Sequence, residues 1–238
     1  MSKPHFRWES ELSESFQENV SPALWTRHNT GNWVRAQESA CSEGRADIVW
    51  GKFERGLSPS KFQRYAPLLQ NRTASRLLAT LRQRSAQFEE DLLPRIGVTA
   101  PVLKRWLRAL LEADLVTTTR DGRLRAMPRN TFPSVEICSF ELKLKNWHRA
   151  LYQATRYRSF SHRVFVVMPA NSAYVAYQHE DLFRKANVGL VAHDESGQSR
   201  VLVRPKKRSP HADYRTIMAL GMFSQSTPIK LRSSRGKS

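Results

Sequence analysis

Cysteine is almost absent from this chain, and so is any long apolar run. The two cysteines, Cys41 and Cys138, lie far apart, so the sequence holds neither a disulfide framework nor a four-thiolate zinc site. No run approaches the ~20 apolar residues that a membrane-spanning helix needs, and the polar, acidic stretch from position 8 is unlike a signal peptide. We therefore expect a cytoplasmic protein with no membrane partner.

Acidic residues are scarce relative to basic ones. The chain has 21 Asp and Glu against 39 Lys and Arg, a net charge of +18. By segment the charge is −1 over 1–57, +7 over 58–128, +3 over 129–199 and +9 over 200–238. Because the excess is concentrated in two segments, it indicates a polyanionic partner, most commonly nucleic acid, rather than a solubilising surface. A basic protein associated with the ribosome is the alternative.

Several catalytic motifs are missing as well. The seven histidines have no H-x-x-x-H spacing, and no G-x-x-x-x-G-K-[ST] loop or serine nucleophile elbow occurs. These absences argue against a histidine zinc site, a P-loop and a serine hydrolase.

Residues 58–128 have the pattern of a small helical unit followed by a hairpin. Apolar spacing predicts a helix over 73–82, a short helix over 88–93 that stops at Pro94, and a helix over 99–113 with Thr99 as its N-cap. A tight turn at Gly97 separates the last two helices, and Asp121-Gly122 is a strong hairpin turn. The segment resembles a winged helix-turn-helix.

That resemblance implies that helix 99–113 enters the major groove and that the hairpin contacts the DNA backbone. The candidate contact residues are Lys104, Arg105 and Arg108 on the helix and Arg120, Arg123 and Arg125 on the hairpin. A winged helix that serves only as scaffold or for protein contacts is the alternative.

The flanking segments predict alternating strands and helices. We expect a helix over 9–19, strands over 33–40, 45–53 and 135–145, a helix over 146–159 and a strand over 163–168. A helix near 178–186 and strands near 188–192 and 200–204 follow. Residues 205–238 are basic and Ser-rich, which predicts a tail that is partly disordered, above all over 231–238.

Four features of these segments resemble the PD-(D/E)XK nucleases. Asp47 lies in the strand RADIVW, Glu141-Leu142-Lys143 lies in the strand SFELKLK, and Gln153 and Tyr157 form a Gln-x-x-x-Tyr motif on the next helix. Without 58–128, the predicted order is helix, strand, strand, strand, helix, strand. The resemblance implies an α/β (α+β) fold whose restriction-endonuclease-like αβββαβ core, 1–57 and 129–204, carries an inserted winged-helix domain. Ala46 departs from the family's proline.

The resemblance also implies roles for these residues. Asp47 and Glu141 would hold Mg²⁺ or Mn²⁺, with Glu14 chosen from Glu11, Glu14 and Glu18 as a further ligand. Lys143, on the same strand face as Glu141, would orient the attacking water, and Gln153 would assist catalysis. Further nucleic-acid contacts are expected from Lys145, Arg149, Gln153, Arg156, Tyr157, Lys206, Lys207 and Arg208. For Gln153 and Tyr157 the alternative is that they brace the site.

The function predicted in this way is a metal-dependent DNA nuclease, more an endonuclease than an exonuclease, acting on double-stranded DNA. It would serve transposition, repair, recombination or defence, as a homodimer or with a second subunit. Two alternatives remain open, a non-catalytic DNA-binding or assembly protein on the same fold and a winged-helix transcription regulator. For the residues themselves, Asp47 could be a turn residue, Glu141 part of a solvated strand face, and Gln153 with Tyr157 a surface pair.

Overall fold

The computed structural model describes residues 6–20, 32–41, 44–53, 59–83, 85–127 and 135–226. The helices are α1 Glu9–Asn19, α2 Ala66–Gln70, α3 Arg72–Gln83, α4 Glu89–Ile96, α5 Ala100–Glu112, α6 Trp147–Arg156, α7 Ala170–Tyr177, α8 Glu180–Ala186 and α9 Asp213–Phe223. The strands are β1 Asn32–Cys41, β2 Gly44–Phe53, β3 Val116–Thr118, β4 Leu124–Ala126, β5 Val135–Leu142, β6 Arg163–Pro169, β7 Gly189–His193 and β8 Ser199–Val203. Within the described ranges, no helix is long and apolar enough to cross a membrane.

A six-stranded mixed sheet forms the centre of the molecule, in the order β1-β2-β5-β6-β7-β8. Strands β1, β2 and β5 are antiparallel, β5, β6 and β7 are parallel, and β8 is antiparallel to β7. Parallel neighbours need a crossover connection, which α6 supplies between β5 and β6, and α7 with α8 between β6 and β7. The predicted mixed α/β class is confirmed.

Helix α1 covers one face of the sheet. Leu12 and Phe16 are fully buried, and the Phe16 ring centroid lies 5.4 Å from that of Phe140 on β5. The opposite face packs against α6, α7 and α9, in one apolar cluster that also includes α3 and α5. The catalytic candidates at the end of β5 therefore lie between two covering helix layers.

Helix α9 was not predicted, because the basic character of 205–238 outweighed its apolar spacing in the sequence analysis. Ile217, Leu220 and Phe223 are buried, and the helix packs against α2, α3 and β1. The Phe223 ring lies so close to Gly51 that a Cβ there would meet it at 2.7 Å. Residues 205–226 are thus part of the fold, while the disorder predicted for 231–238 falls outside the described residues.

Two other predictions in the helical regions need correction. Helix α4 does not stop at Pro94 but continues to Ile96 and ends at Gly97, which has a φ of 67°. Proline removes only one hydrogen bond of such a short helix. Leu92 before Pro94 and Ile96 after it are both buried in the core, which keeps the helix continuous. Residues 170–177, for which no element was predicted, form α7.

The strand predicted over 135–145 ends at Leu142. Asn146 adopts a left-handed conformation, φ 47° and ψ 62°, and its side chain accepts a hydrogen bond from the backbone N–H of Arg149. This cap turns the chain directly from the end of β5 into α6. Lys143 still donates a backbone hydrogen bond to Val167 on β6 at 3.1 Å, so its position beside the sheet is fixed.

Candidate active site

Strands β2 and β5 bring Asp47 and Glu141 together from positions 94 residues apart. The antiparallel pairing of β2 with β5 ends at Ile48 and Phe140, so Asp47 and Glu141 are the next residues beyond the last pair. They are close enough for the charge of Asp47 to raise the pKa of Glu141. The backbone N–H of Leu142 also donates to Asp47 Oδ2 at 2.8 Å, which fixes the Asp47 carboxylate at the end of β5.

The Glu141 carboxylate is in the interior, with 1% of the residue exposed. The Tyr157 hydroxyl donates to its Oε2 at 2.5 Å, and the Lys143 ammonium lies 3.5 Å from its Oε1. Burial, and then the charge of Asp47, raise the pKa of Glu141, while Tyr157 and Lys143 act in the opposite direction, and the pKa that results is about 7. Such burial excludes a solvated strand face for Glu141.

Lys143 connects this pair to the first helix. Its ammonium lies 2.9 Å from Glu9 Oε2 as well as 3.5 Å from Glu141 Oε1. Burial lowers the pKa of Lys143, but the hydrogen bond to Glu9 and the charges of Glu141, Glu9 and Asp47 outweigh burial and raise it overall. The ammonium is therefore charged at neutral pH.

Glu9, the first residue of α1, was not among the predicted site residues. The sequence shows several acidic residues on this helix, and the analysis chose Glu14 among them. The sequence shows that α1 is acidic, but helical spacing does not show which end of the helix lies next to β5. The acidic residue beside Lys143 could therefore not be identified from the sequence. The structure places Glu9, not Glu14, in contact with Lys143.

Tyr157 braces the site from within. Only 1% of the residue is exposed, which corrects the prediction that Tyr157 contacts nucleic acid and excludes a surface pair with Gln153. Gln153 lies one helical turn earlier on the same face of α6. Its Oε1 is buried and has no hydrogen-bond partner among the described residues, and none of their hydrogen bonds joins it to Asp47, Glu141 or Lys143.

A cavity of about 320 Å³ opens beside Asp47. Asp47 and Leu142 line one side of it, and the α1 residues that line the other side are Glu9, Ser10, Ser13, Glu14 and Gln17. Glu14 thus faces the same space as Asp47. The part of the chain that the structure describes contains no group of three or more His, Cys, Asp or Glu residues placed to hold a metal ion.

A larger cleft of about 880 Å³ opens beside Lys143. Its basic lining residues are Arg7, Lys143, Lys145 and Arg149, from the N-terminal segment, the end of β5 and the first turn of α6. Glu9 lines both this cleft and the cavity beside Asp47. The two carboxylates therefore lie next to a basic, open surface wide enough for a phosphate backbone to approach.

The helices and hairpin predicted for residues 58–128 are present. Helix α4, the Gly97 turn, helix α5 and the β3–β4 hairpin follow one another in the predicted order. The predicted contact residues of α5 and the hairpin are all exposed, namely Lys104, Arg105, Arg108, Arg120, Arg123 and Arg125. Arg123 is also paired with Asp121 at 2.9 Å.

The remaining basic candidates do not share one surface with the catalytic pair. Lys207 lies 2.9 Å from Glu136, at the start of β5, whereas Glu141 is near its end. Five residues at ~3.3 Å per residue separate the two glutamates by roughly 16 Å. Lys206 and Arg208 flank Lys207, so this group lies at the opposite end of the sheet. Arg156 is exposed at the last turn of α6.

Comparison with known proteins finds no match: no protein-family model, no curated protein and no solved structure is similar to this chain at a significant level. The resemblance to the PD-(D/E)XK nucleases therefore rests on the residues and the geometry of this chain alone.

Proposed function

We propose that the chain is a metal-dependent nuclease that hydrolyses phosphodiester bonds in DNA. One observation carries this proposal: Glu141, 1% exposed, lies near Asp47 and contacts both Lys143 and Tyr157. Burying one carboxylate beside another destabilises the fold. Perturbed groups of this kind cluster at functional sites, and a site that binds a cation gains from both charges.

The element order supports a restriction-endonuclease-like core. Apart from the segment between β2 and β5, the order is α1, β1, β2, β5, α6, β6, which is the αβββαβ order that the resemblance implies. The catalytic candidates occupy the positions expected of that core, with Asp47 on β2, Glu141 at the end of β5 and Lys143 directly after it. The helices and hairpin between β2 and β5 would be the inserted winged helix.

The donor set fits a magnesium ion. Mg²⁺ is commonly bound through one or two carboxylates, with waters and substrate phosphates completing its octahedron. Asp47 and Glu141 provide two neighbouring carboxylates, and they would hold the ion; Mn²⁺ suits the same oxygen donors. When bound, the ion supplies a more acidic water and neutralises charge on the phosphate.

The chain's own residues would position the substrate and stabilise charge. The Lys143 ammonium, held between Glu9 and Glu141, can stabilise the negative charge that develops on the phosphate during attack. Tyr157 fixes the orientation of the Glu141 carboxylate through its hydroxyl. Lys145 and Arg149, both exposed in the cleft, can pair with backbone phosphates on either side of the bond that is cut.

A cleavage assay tests the proposal. Supercoiled, linear duplex, branched and single-stranded DNA would be incubated with Mg²⁺, with Mn²⁺ or with EDTA, using the wild type and Asp47→Ala. We expect breaks that need both the metal and Asp47. Cleavage that persists in EDTA or in purified Asp47→Ala would contradict the proposal.

A non-catalytic DNA-binding protein on the same fold is the second candidate. It is favoured by one observation, the absence of a third metal ligand near Asp47 and Glu141 in the described residues. Titration calorimetry with Mg²⁺ and duplex DNA distinguishes the two candidates. The second one predicts DNA binding that does not change the affinity for metal, and no cleavage with any DNA form or partner protein.

A further inference from the structure

A second cleft lies at the end of the sheet opposite to the catalytic pair. It has a volume of about 260 Å³ and is formed by the end of α8, the end of β8 and the segment that follows β8. Its floor is apolar and includes Phe183 and Val203. Its polar lining includes four basic residues, Arg184, Arg204, Lys206 and Arg208.

The positive charge of this cleft is largely uncompensated. Arg184 is paired with Glu180 at 2.7 Å, but Arg204, Lys206 and Arg208 form no ion pair within the described part of the chain. Burial, and then the nearby charge of Arg208, lower the pKa of Arg158. Cations that lie together without an acidic partner are the arrangement expected where a polyanion binds.

The segment that carries these cations is held rigidly against the fold. Lys206 and Asn187 exchange two hydrogen bonds, from Lys206 N–H to Asn187 Oδ1 at 2.8 Å and from Asn187 Nδ2 to Lys206 O at 2.9 Å. Arg163 donates to Pro205 O at 2.9 Å, and Arg208 N–H donates to His162 O at 3.1 Å. Because the backbone is fixed beforehand, binding an anion here costs little ordering entropy.

A chain of contacts links the cleft to the β3–β4 hairpin. Past Arg208, Ala212 N–H donates to Ser159 O, and Asp213 accepts a hydrogen bond from Gln83 at the end of α3 at 2.5 Å. Gln87, which is four residues after Gln83, exchanges two backbone hydrogen bonds with Leu124 on β4. The segment after β8 therefore connects the cleft, through α3 and Gln87, to the hairpin.

We propose that the cleft formed by Arg204, Lys206 and Arg208 binds backbone phosphates of DNA beside those contacted by the helices and hairpin of residues 59–126. The protein would then grip the duplex at the end of the sheet opposite to the one where it cuts. This inference rests on the proposed nuclease function. The segment 59–126 lies in the chain between the end of β2 at Phe53 and the start of β5 at Val135, and both of these points are roughly 20 Å from the catalytic carboxylates. This distance corresponds to on the order of six base pairs of duplex.

The test compares a triple variant, Arg204→Ala with Lys206→Ala and Arg208→Ala, with Arg200→Ala as a matched control. Arg200 is an exposed arginine on β8, the strand that directly precedes Arg204, and it does not line the cleft. Fluorescence anisotropy in EDTA would give the affinity for a 24-base-pair duplex over a series of salt concentrations. Each lost phosphate contact lowers the slope of log affinity against log salt by about 0.9.

We expect the triple variant to lower that slope by about two to three and to weaken binding at least about tenfold near 0.15 M salt, and Arg200→Ala to lower it by less than about one. An unchanged slope would overturn the inference. Arg208→Glu alone is the second variant and should weaken binding in the same direction. Melting temperatures check that each variant folds.

Inorganic phosphate distinguishes a DNA site from a small-anion site. If phosphate binds the wild type and not the triple variant while the DNA affinity of both is equal, the cleft takes free anions and the inference fails. Because these measurements need no cleavage, they remain valid if the nuclease assay is negative. If the chain does cut DNA, the triple variant should keep its single-turnover rate at saturating DNA.

Discussion

The two ends of the central sheet carry opposite charge arrangements. Around Asp47 and Glu141, the acidic groups lie close together, partly or fully buried, with Lys143 as the nearest cation. At the other end, Lys206 and Arg208 are exposed and rigidly held, without an acidic partner in the described residues. Carboxylates come together at the first end and unpaired cations at the second, so the first suits a metal ion and the second a phosphate backbone.

This difference predicts that substitutions at the two ends change different quantities. A buried carboxylate and its neighbouring ammonium act on the reacting phosphate, so their loss should lower the cleavage rate. Exposed cations contribute mainly to affinity and to its salt dependence. The predictions below test that division, starting with the largest expected effect.

Lys143→Ala and Asp47→Ala should each lower single-turnover cleavage by at least about 10²–10³-fold, the range found when one transition-state contact is removed. DNA affinity should change less than about threefold. Lys143→Arg should not restore the rate, because the larger planar guanidinium cannot replace a compact ammonium between Glu9 and Glu141. Lys185→Ala, an exposed lysine on α8, is the control. Cleavage by Lys143→Ala at the wild-type rate would refute the catalytic assignment.

Phe223→Ala should lower the free energy of unfolding by about 3–5 kcal/mol, because it leaves a cavity beside Gly51 and Phe53. Met222→Ala, at the partly buried neighbouring position, should cost clearly less. Urea denaturation measures both. A loss below about 1 kcal/mol for Phe223→Ala would mean that α9 does not belong to the core. Deleting residues 205–238 would remove α9, so the loss of core packing would obscure any loss of DNA contacts by the basic residues.

Glu141→Gln should stabilise the metal-free protein at high pH. The pKa of Glu141 is about 7 in the fold and 4.5 in its unperturbed state, so between these values the folded protein holds a proton that the unfolded chain has lost. The free energy of unfolding of the wild type therefore falls as the pH rises from about 4.5 through about 7. A neutral amide removes that dependence.

At pH 8 in EDTA, Glu141→Gln should be more stable than the wild type by at most about 3 kcal/mol, and at pH 4 the two should be nearly equal. Urea denaturation at both pH values gives the comparison. Tyr157→Phe is the companion variant. It removes a hydrogen bond that lowers the pKa of Glu141, so the fall in stability should extend to higher pH. Equal stability of Glu141→Gln and wild type at pH 8 would contradict the burial argument.

Much of the fold and part of the site could be predicted from the sequence. Strands β1, β2 and β6 and helices α1, α3 and α5 lie within about two residues of their predicted bounds. For α3 and α5 the reason is a regular apolar spacing. The approach of Asp47 to Glu141 was an expectation from the resemblance to the PD-(D/E)XK nucleases. Lys143 followed from period-two alternation, which puts it on the same side as Glu141.

The rest depends on tertiary contacts that the sequence does not state. Glu9 and Glu14 are equally acidic residues on one helix, and only the packing of α1 on the sheet decides which one meets Lys143. Tyr157 looks like a surface aromatic in a Gln-x-x-x-Tyr motif, yet α6 turns it into the interior. Lys206 and Arg208 belong to the basic C-terminal segment in the sequence, but β8 carries them to the sheet end opposite to the site.

The most direct test of the claim that different residues are responsible for DNA cleavage and for DNA binding is one set of measurements on one labelled duplex. The dissociation constant without metal and the single-turnover rate at saturating DNA with Mg²⁺ would be determined for the wild type, Lys143→Ala, Arg105→Ala and the double variant. We predict that Arg105→Ala weakens binding about tenfold, equivalent to about 1.4 kcal/mol, and leaves the rate nearly unchanged, while Lys143→Ala does the reverse and the double variant shows both losses. A rate at saturating DNA that falls as far for Arg105→Ala as for Lys143→Ala would contradict the account.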